Sequence, residues 1–421
     1  MRLRQKPTSA LEAAKRHRSY IHFDVPLGSK ACEKLVADPS AVARHPFYPF
    51  LRHDVVRKRI KRQPGGKLIK STKIRDIRYA AHSDAAIYSY YNYILTDLYE
   101  QEIVKQNLVA NVIAFRALSR SNVDFAKEAF DWIDENRPCT ALGFDVTDFF
   151  GSLDHKILKS AWAGLMGIQK LPPDHFAVFK SLTKHASVEL IAARKKLGIS
   201  RQELGRKTRI CDAADFRSQI RGSGLVFVNE KSKGIPQGSP ISAALSNIYM
   251  LPFDEKVRIH VEAAGGFYRR YCDDILVVVP DDEVDSAKSI VNQALLALHL
   301  SMQPAKTLEC HFGKKLASKP LQYLGLVYDG SCVYLRSSGV ARYYSKMRAG
   351  IKQHKFATVQ DGSTPILKQR RKYLLQQYTE HAPQSHRNYF SYVKLAQKNA
   401  KSASIRRQLR FHMKRFNRLI K

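Results

Sequence analysis

Asp273 and Asp274 stand side by side in Tyr271-Cys272-Asp273-Asp274, between Gly265-Gly266-Phe267-Tyr268-Arg269-Arg270 and the apolar run Ile275-Leu276-Val277-Val278-Val279. Both flanks have strand character, so the doublet falls at a tight turn between two strands. Two carboxylates at one turn repel each other and do not serve packing. Their commonest counter-charge is a pair of divalent cations. A doublet alone says little, because Asp-Asp pairs are frequent on surfaces. Asp281-Asp282-Glu283, a few residues on, reads as a solvated loop.

Three other segments supply partners for the doublet. The first is Ala141-Leu142-Gly143-Phe144-Asp145-Val146-Thr147-Asp148-Phe149-Phe150, an apolar strand running into an acid and then two aromatics, with a helix start expected at Ser152 or Asp154. The second is Gly234-Ile235-Pro236-Gln237-Gly238-Ser239-Pro240-Ile241-Ser242, a Gly- and Pro-marked loop where backbone can approach a ligand, followed by a helix-like stretch to Met250. The third is Leu321-Gln322-Tyr323-Leu324-Gly325-Leu326-Val327-Tyr328, a short apolar hairpin.

Taken in this order, the segments resemble the palm motifs of reverse transcriptases. The Asp145 segment is similar to motif A, the Pro236–Pro240 loop to motif B and Tyr271–Asp274 to motif C. Ala305-Lys306-Thr307 fits the lysine-bearing motif D, and Leu324-Gly325 the primer-grip hairpin, motif E. The resemblance runs from about Lys67 to about Tyr328 and rests on the joint order of the motifs. It implies an α+β, right-hand polymerase fold with fingers, an RRM-like palm and a helical thumb.

Template-directed phosphoryl transfer needs attacking and leaving oxygens in line, and two cations about 3.5–4 Å apart can serve both. Hard Mg²⁺ prefers oxygen ligands, commonly one or two carboxylates plus substrate phosphates. The resemblance implies that Asp145 and Asp273 bridge two Mg²⁺ ions, or Mn²⁺, with the Val146 carbonyl as a further ligand and Asp274 more peripheral. It places Phe150 against the sugar of the incoming nucleotide, where bulk excludes a 2′-hydroxyl and selects deoxynucleotides. Phe149 and Phe150 are adjacent, so on a strand only one can face the core. We assign Phe149 to the core and Phe150 to the gate. Gln237 is expected beside the incoming base pair. Lys306 reads either as the acid for departing pyrophosphate or as a solvated lysine. Upstream, Lys67 to Tyr79 alternates basic and apolar residues, as strands with one cationic face do. Arg75 is the phosphate ligand expected there, followed by Lys67. An edge strand guarded by charge is the alternative reading.

Composition agrees with a polyanionic partner: Lys and Arg number 71 against 37 Asp and Glu, a formal charge of +34. No apolar run approaches the roughly 20 residues of a spanning helix. No secretory signal opens the chain, so membrane is not an expected partner and the cytoplasm is the expected location. The six cysteines show neither CxxC nor zinc spacing, which fits a reducing compartment. No G-x-x-x-x-G-K-[ST] loop is present, which disfavours a P-loop ATPase.

The expected divisions are residues 1–135 for an N-terminal region and fingers, 136–336 for the palm with an inserted segment at about 156–233, and 337–421 for a basic helical thumb. Helices are expected from Ser83 to Gln106 and from Asn122 to Ile133. The insertion contains a basic, helix-rich stretch, Val188 to Arg206, either a solvated face or a template contact. Beyond Ser337 the only acids are Asp361 and Glu380. There Ile405, Leu409, Met413, Phe416 and Ile420 fall on one face of a single expected helix. Arg407, Arg410, Lys414, Arg418 and Lys421 take the other, the side that would grip nucleic acid.

Within these residues no HNH-like Cys/His region, RNase H acid set, integrase or retron-type Val-Thr-Gly is visible. The chain is most similar to the stand-alone, defence-associated prokaryotic reverse transcriptases of the type 2 class, on Ile77-Arg78-Tyr79-Ala80-Ala81-His82-Ser83-Asp84, Tyr90-Tyr91 and Leu98-Tyr99-Glu100. That resemblance implies an RNA template, a dedicated non-coding RNA as partner, deoxynucleoside triphosphates as substrates and cDNA as product. The alternative is a maturase-like or retron-like protein acting on a different RNA. A degenerate, non-enzymatic fold would have lost one of Asp145, Asp273 or Asp274, and all three are present.

Overall fold

The computed structural model describes residues 7–62, 66, 68–303, 307–314, 317–361, 365–380 and 388–420. Its strands are β1 (Phe50–Arg62), β2 (Leu68–Tyr79), β3 (Cys139–Asp145), β4 (Ala186–Glu189), β5 (Val226–Val228), β6 (Phe267–Tyr271), β7 (Asp274–Val279), β8 (Leu308–Phe312), β9 (Leu321–Tyr323), β10 (Leu326–Tyr328) and β11 (Val333–Leu335). They form three sheets in the orders β2-β1-β4-β5, β6-β7-β3-β8 and β11-β10-β9, while helices fill the intervals. This is the α+β class expected from the sequence.

The central sheet explains the unbroken apolar run. Ile275, Val277 and Val279 enter one core cluster with Leu142 and Phe144, under the helices Ser242–Tyr249, Leu251–Ala263 and Val284–Ala297. Leu276 and Val278 enter a second cluster with Ala141, Phe312 and the helix Asn122–Glu135. A strand covered on both faces needs apolar side chains at every position. Each such burial contributes about 1.5–3 kcal/mol.

The helix His82–Lys105 starts without help from Ala81, which has no side-chain cap. Asp24 supplies one from a distant segment: its carboxylate accepts the His82 and Ser83 amides, each at 2.9 Å. This satisfies donors that a helix start leaves unpaired. Asn122–Glu135 carries its own cap, with Ser121 and Asp124 bonded reciprocally.

The 156–233 segment contributes to two layers. Its helices His155–Leu165 and Pro173–Thr183 pack into the main core through Leu158, Trp162, Val178 and Leu182. Its strands β4 and β5 leave that core and extend the β1–β2 sheet, with Phe50 opposite Ser187 in a parallel pairing. Val188 to Arg206, expected to be mainly helical, therefore starts on a strand.

The C-terminal region departs from the expected single helix. It is two helices, Ala403–Gln408 and His412–Ile420, broken at Leu409–Phe411. Ile405 packs toward the central sheet's second cluster, whereas Phe416 joins Tyr343, Tyr344, Met347, Ile351 and Leu374 in a separate one. The apolar stripe serves two cores, and the break redirects it from one to the other. Gln408, at the end of the first helix, closes the edge of β11 by exchanging two hydrogen bonds with the Leu335 backbone, at 2.8 and 3.1 Å. Lys421 lies outside the described residues. Among the described residues no helix is long and apolar enough to cross a membrane.

Candidate active site

The acids meet at the ends of two neighbouring strands. β3 and β7 run antiparallel, and their last paired positions are Asp145 and Asp274. β6 and β7 pair up to Tyr271 opposite Asp274, so Cys272 and Asp273 form the two-residue turn between them. Cys272 has φ +60°, the left-handed conformation such a tight turn requires. The Val146 amide donates to the Asp273 carbonyl at 3.4 Å, which extends the β3 contact one residue into the turn. Val146 itself is buried and bridges Met302, and the Gln303 amide donates to the Asp145 carbonyl at 2.8 Å. The backbone thus brings Asp145, Val146, Asp273 and Asp274 to one place.

Burial, with the adjacent Asp273 carboxylate adding to it, pushes the Cys272 thiol up to about 12. Such a thiol is inert as a nucleophile near neutrality. Among the described residues no group of three His, Cys, Asp or Glu is arranged to hold a metal ion by side chains alone. The donors at the strand ends are carboxylate and carbonyl oxygens, which suit hard divalent cations that complete their shells with substrate oxygens and water.

After Asp145 the chain turns sharply. Asp148 adopts a left-handed φ of +43°, and Phe149–Ser152 form one helical turn. The two aromatics are therefore not on a strand as reasoned from the sequence. Phe149 is nevertheless buried, 4% exposed, while Phe150 is half-buried. The turn is closed by the loop before Gln237: the Gly234 amide donates to the Leu153 carbonyl at 2.8 Å and the Ile235 amide to the Phe150 carbonyl at 2.9 Å. Gly234 has φ +91°, and a Cβ there would stand 3.0 Å from the Gly151 carbonyl oxygen, so glycine is required.

The loop then reaches the β1–β2 sheet. The Arg78 amide on β2 donates to the Gln237 carbonyl at 2.8 Å. Gly238, at φ +115°, lies so close that a Cβ would sit 2.6 Å from the Arg78 carbonyl oxygen. The Ser242 hydroxyl donates to the Pro236 carbonyl at 2.6 Å, locking the loop to the helix that follows. Phe150 and Gln237 are thereby joined through the same short stretch of backbone.

Arg75 is half-buried on β2, opposite Val55, and three residues from Arg78. An odd spacing puts the two arginines on opposite faces of the strand. Arg78 is committed: it donates to Asp76 at 2.6 Å and to His185 at 2.7 Å. Lys67 and Lys306 lie outside the described residues. Arg407, Arg410, Lys414 and Arg418 are exposed in the C-terminal helices and the turn between them. The loop motif pointed to Gln237 but not to the Arg78–His185 contact, because the two are 107 residues apart. The buried pair Arg270–Asp254 behind the doublet has no local signal either.

No curated protein matches the chain. Solved structures similar to it include apo telomerase from Candida tropicalis truncated from its C-terminal domain, at 12% identity and a TM-score of 0.41, covering 74% of this chain and 61% of that one. Apo telomerase from Candida tropicalis matches at 14% identity and a TM-score of 0.41, covering 88% and 63%. Telomerase from Candida albicans in complex with a TWJ fragment of telomeric RNA matches at 10% identity and a TM-score of 0.41, covering 90% and 58%. The chain thus spans about three fifths of the length of each telomerase chain. Residues 179–328 match the family model described as reverse transcriptase (RNA-dependent DNA polymerase). That span contains the Gly234–Ser242 loop, the doublet Asp273-Asp274 and the β9–β10 hairpin, while Asp145 lies outside it, N-terminal to residue 179. Residues 179–328 are therefore similar to a reverse transcriptase domain, a family whose described activity is that of an RNA-dependent DNA polymerase.

Proposed function

We propose that the chain copies a structured RNA into cDNA by phosphoryl transfer at Asp145, Asp273 and Asp274. The observation that carries this reading is the register of β3 and β7, which ends with Asp145 opposite Asp274 beside a loop that joins Phe150 to Gln237. In this reading residues 1–135 form an N-terminal region and fingers, 136–336 a palm with an inserted segment at about 156–233, and 337–421 a basic helical thumb. The 156–233 segment shares its strands with the fingers sheet.

Asp145 and Asp273, with the Val146 carbonyl and a peripheral Asp274, would hold two Mg²⁺ ions, or Mn²⁺, whose chemistry is to stabilise the charge that develops on the attacking and leaving oxygens. The residues of the chain do the positioning. Phe150 stands where a ribose 2′-hydroxyl would have to fit. Gln237, held by its carbonyl on Arg78, supports the incoming base pair. Arg75 and Lys67 receive the triphosphate, and Lys306 donates a proton to the departing pyrophosphate. Arg407, Arg410, Lys414 and Arg418 hold the backbone of the template–product duplex.

The further reading, antiviral defence in the prokaryotic cytoplasm with a dedicated non-coding RNA as template, is supported by the resemblance to the type 2 stand-alone class. The deciding experiment sequences the nucleic acid that co-purifies with the protein, with and without Asp273→Asn. A single RNA species joined to complementary DNA only in the parent is the expected result. RNA of mixed origin, or DNA that persists in the variant, overturns it.

A further inference from the structure

Arg270 is wholly buried and makes no contact with the reacting groups in the chemistry above. Asp254, also wholly buried, grips its guanidinium through two bonds, Nε to Oδ1 and Nη2 to Oδ2, each 2.6 Å. Tyr268 donates its hydroxyl to the same carboxylate at 2.5 Å. Burial works against the Arg270 charge, but the Asp254 carboxylate outweighs it and the pKa is raised. Replacing a buried ion pair by hydrophobic residues of similar volume is often neutral or stabilising, so stability alone is a weak reason for the pair. The use of the pair therefore lies in where it aims the remaining nitrogen.

That nitrogen, Nη1, donates to two acceptors at 3.2 Å: the Asn247 Oδ1 atom and the Cys272 carbonyl. Cys272 is the left-handed residue of the acid turn, a conformation that disfavours any side chain. Asn247 lies on the helix Ser242–Tyr249 that follows the Gln237 loop, and its amide donates to the Ala114 carbonyl at 3.0 Å. The Arg270 backbone is fixed as well. Its amide donates to the Asn111 carbonyl at 2.8 Å and its carbonyl accepts from the Ile113 amide at 3.1 Å.

We propose that Arg270 is a positioning residue for polymerisation. Its Nη1 pins the Cys272 carbonyl, which holds the turn that presents Asp273 to Asp145, and through Asn247 it ties that turn to the helix behind the nucleotide loop. The inference rests on the reading of Asp145, Asp273 and Asp274 as the polymerase acids. Lysine cannot replace arginine here: one ammonium can pair with Asp254 but lacks the rigid fork that also reaches Asn247 and Cys272.

The test uses Arg270→Lys and the triple variant Asp254→Leu, Tyr268→Phe, Arg270→Met, which removes both charges and the dependent hydroxyl together. Each is measured by thermal melting, by kcat and KM for a deoxynucleotide on a primed RNA, and by terbium(III) luminescence as a probe of hard-cation binding. Asp273→Asn is the control. Both variants should melt cooperatively. Both should lose about 10–100-fold in kcat and a similar factor in terbium affinity, as removal of a supporting hydrogen bond does. KM for the nucleotide should stay within about twofold, because the nucleotide contacts are untouched. A folded triple variant with parental kcat and terbium affinity overturns the proposal, and so does a change confined to KM. If Arg270→Lys melts far lower while the triple variant is fully active, the pair is packing only and the proposal also falls. An active Asp273→Asn sinks the reading of the acids themselves. An inactive Asp273→Asn beside a parental triple variant sinks only the role of Arg270.

Discussion

Asp145 and Asp274 are Cα partners at the end of the β3–β7 pairing, and the Val146 amide reaches the Asp273 carbonyl one step beyond them. Two strands far apart in sequence are thus held at the register that puts their acids together. Replacing Asp273 and Asp274 by Ala should abolish nucleotide incorporation. The variant should keep its melting behaviour and its affinity for RNA, because the substitutions remove acids and leave the basic residues in place. Primer extension combined with RNA binding on the same preparation checks this. Undiminished extension would remove the acids from the mechanism.

Phe150 is half-buried while its neighbour Phe149 is 4% exposed, so shortening Phe150 opens space without emptying the core. Phe150→Val should raise the ribonucleotide to deoxynucleotide ratio of kcat/KM by about tenfold or more, the scale on which steric pockets discriminate. Competition between the two nucleotides at one template position measures it. A constant ratio would place the gate elsewhere.

Gly238 combines φ +115° with an approach that leaves no room for a Cβ beside the Arg78 carbonyl. Gly238→Ala therefore forces the loop away from β2 and should break the Arg78–Gln237 bond. The backbone strain alone is about 1–3 kcal/mol, and the clash and the lost bond add to it, so the melting temperature should fall as well. Activity should fall further than stability, with the main effect on KM for the nucleotide. A variant with parental KM would show that the loop and β2 work independently.

The acid strands, the loop and the hairpin were legible because each is set by local pattern. A run from Ile275 to Val279 must be a doubly covered strand, and Gly and Pro mark the Gly234–Pro240 loop. The helix from His82 was also legible, although its cap, Asp24, is 58 residues away. What sequence pattern did not reveal is non-local. β4 and β5 hold four and three residues, too short for a period, and they are strands because β1 offers them an edge. Arg270 has no signal in the sequence, because its partner Asp254 is brought to it only by the packing of its strand on a helix. The break at Leu409–Phe411 has no Gly or Pro to announce it, and the apolar period runs straight through. Two separate cores, one under Ile405 and one under Phe416, impose it.

That break bears on nucleic-acid binding. It leaves Phe411 61% exposed, with the Arg410 and Lys414 cations 5.3 and 6.0 Å from its ring centroid. Neutralising Arg407, Arg410, Lys414 and Arg418 together should weaken binding of a template–primer duplex and flatten its salt dependence. Each lost phosphate contact should reduce the log–log slope by about 0.7–0.9. If these residues hold the duplex as proposed, processive synthesis should suffer more than a single addition on pre-bound duplex. A quadruple variant with the parental slope would take this surface out of the interface.

His185 gives the fold a pH dependence that can be traced to one contact. Its Nδ1 faces the Leu182 carbonyl at 2.9 Å and its Nε2 faces Arg78 at 2.7 Å. A guanidinium can only donate, so Nε2 accepts and Nδ1 carries the proton. Protonating Nε2 would break the bond and set two cations against each other in a buried place. Burial first, and then the Arg78 charge, push the His185 pKa down to about 4. The unfolded chain holds its histidines near the ordinary value of about 6.5. Between these values the unfolded state binds more protons than the folded one. The stability His185 contributes is therefore complete above about pH 6.5 and is lost as the pH falls toward 4. His185→Gln keeps an acceptor for Arg78 and a donor for Leu182 but cannot titrate. Compared with this variant, the parent should lose on the order of 1–3 kcal/mol between pH 7 and 4. The quantity to measure is the difference between the two melting curves across that range, since the other buried histidines contribute equally to both. Parallel curves would mean that His185 titrates at the same pKa in the folded as in the unfolded chain, so that neither burial nor the Arg78 contact holds it down.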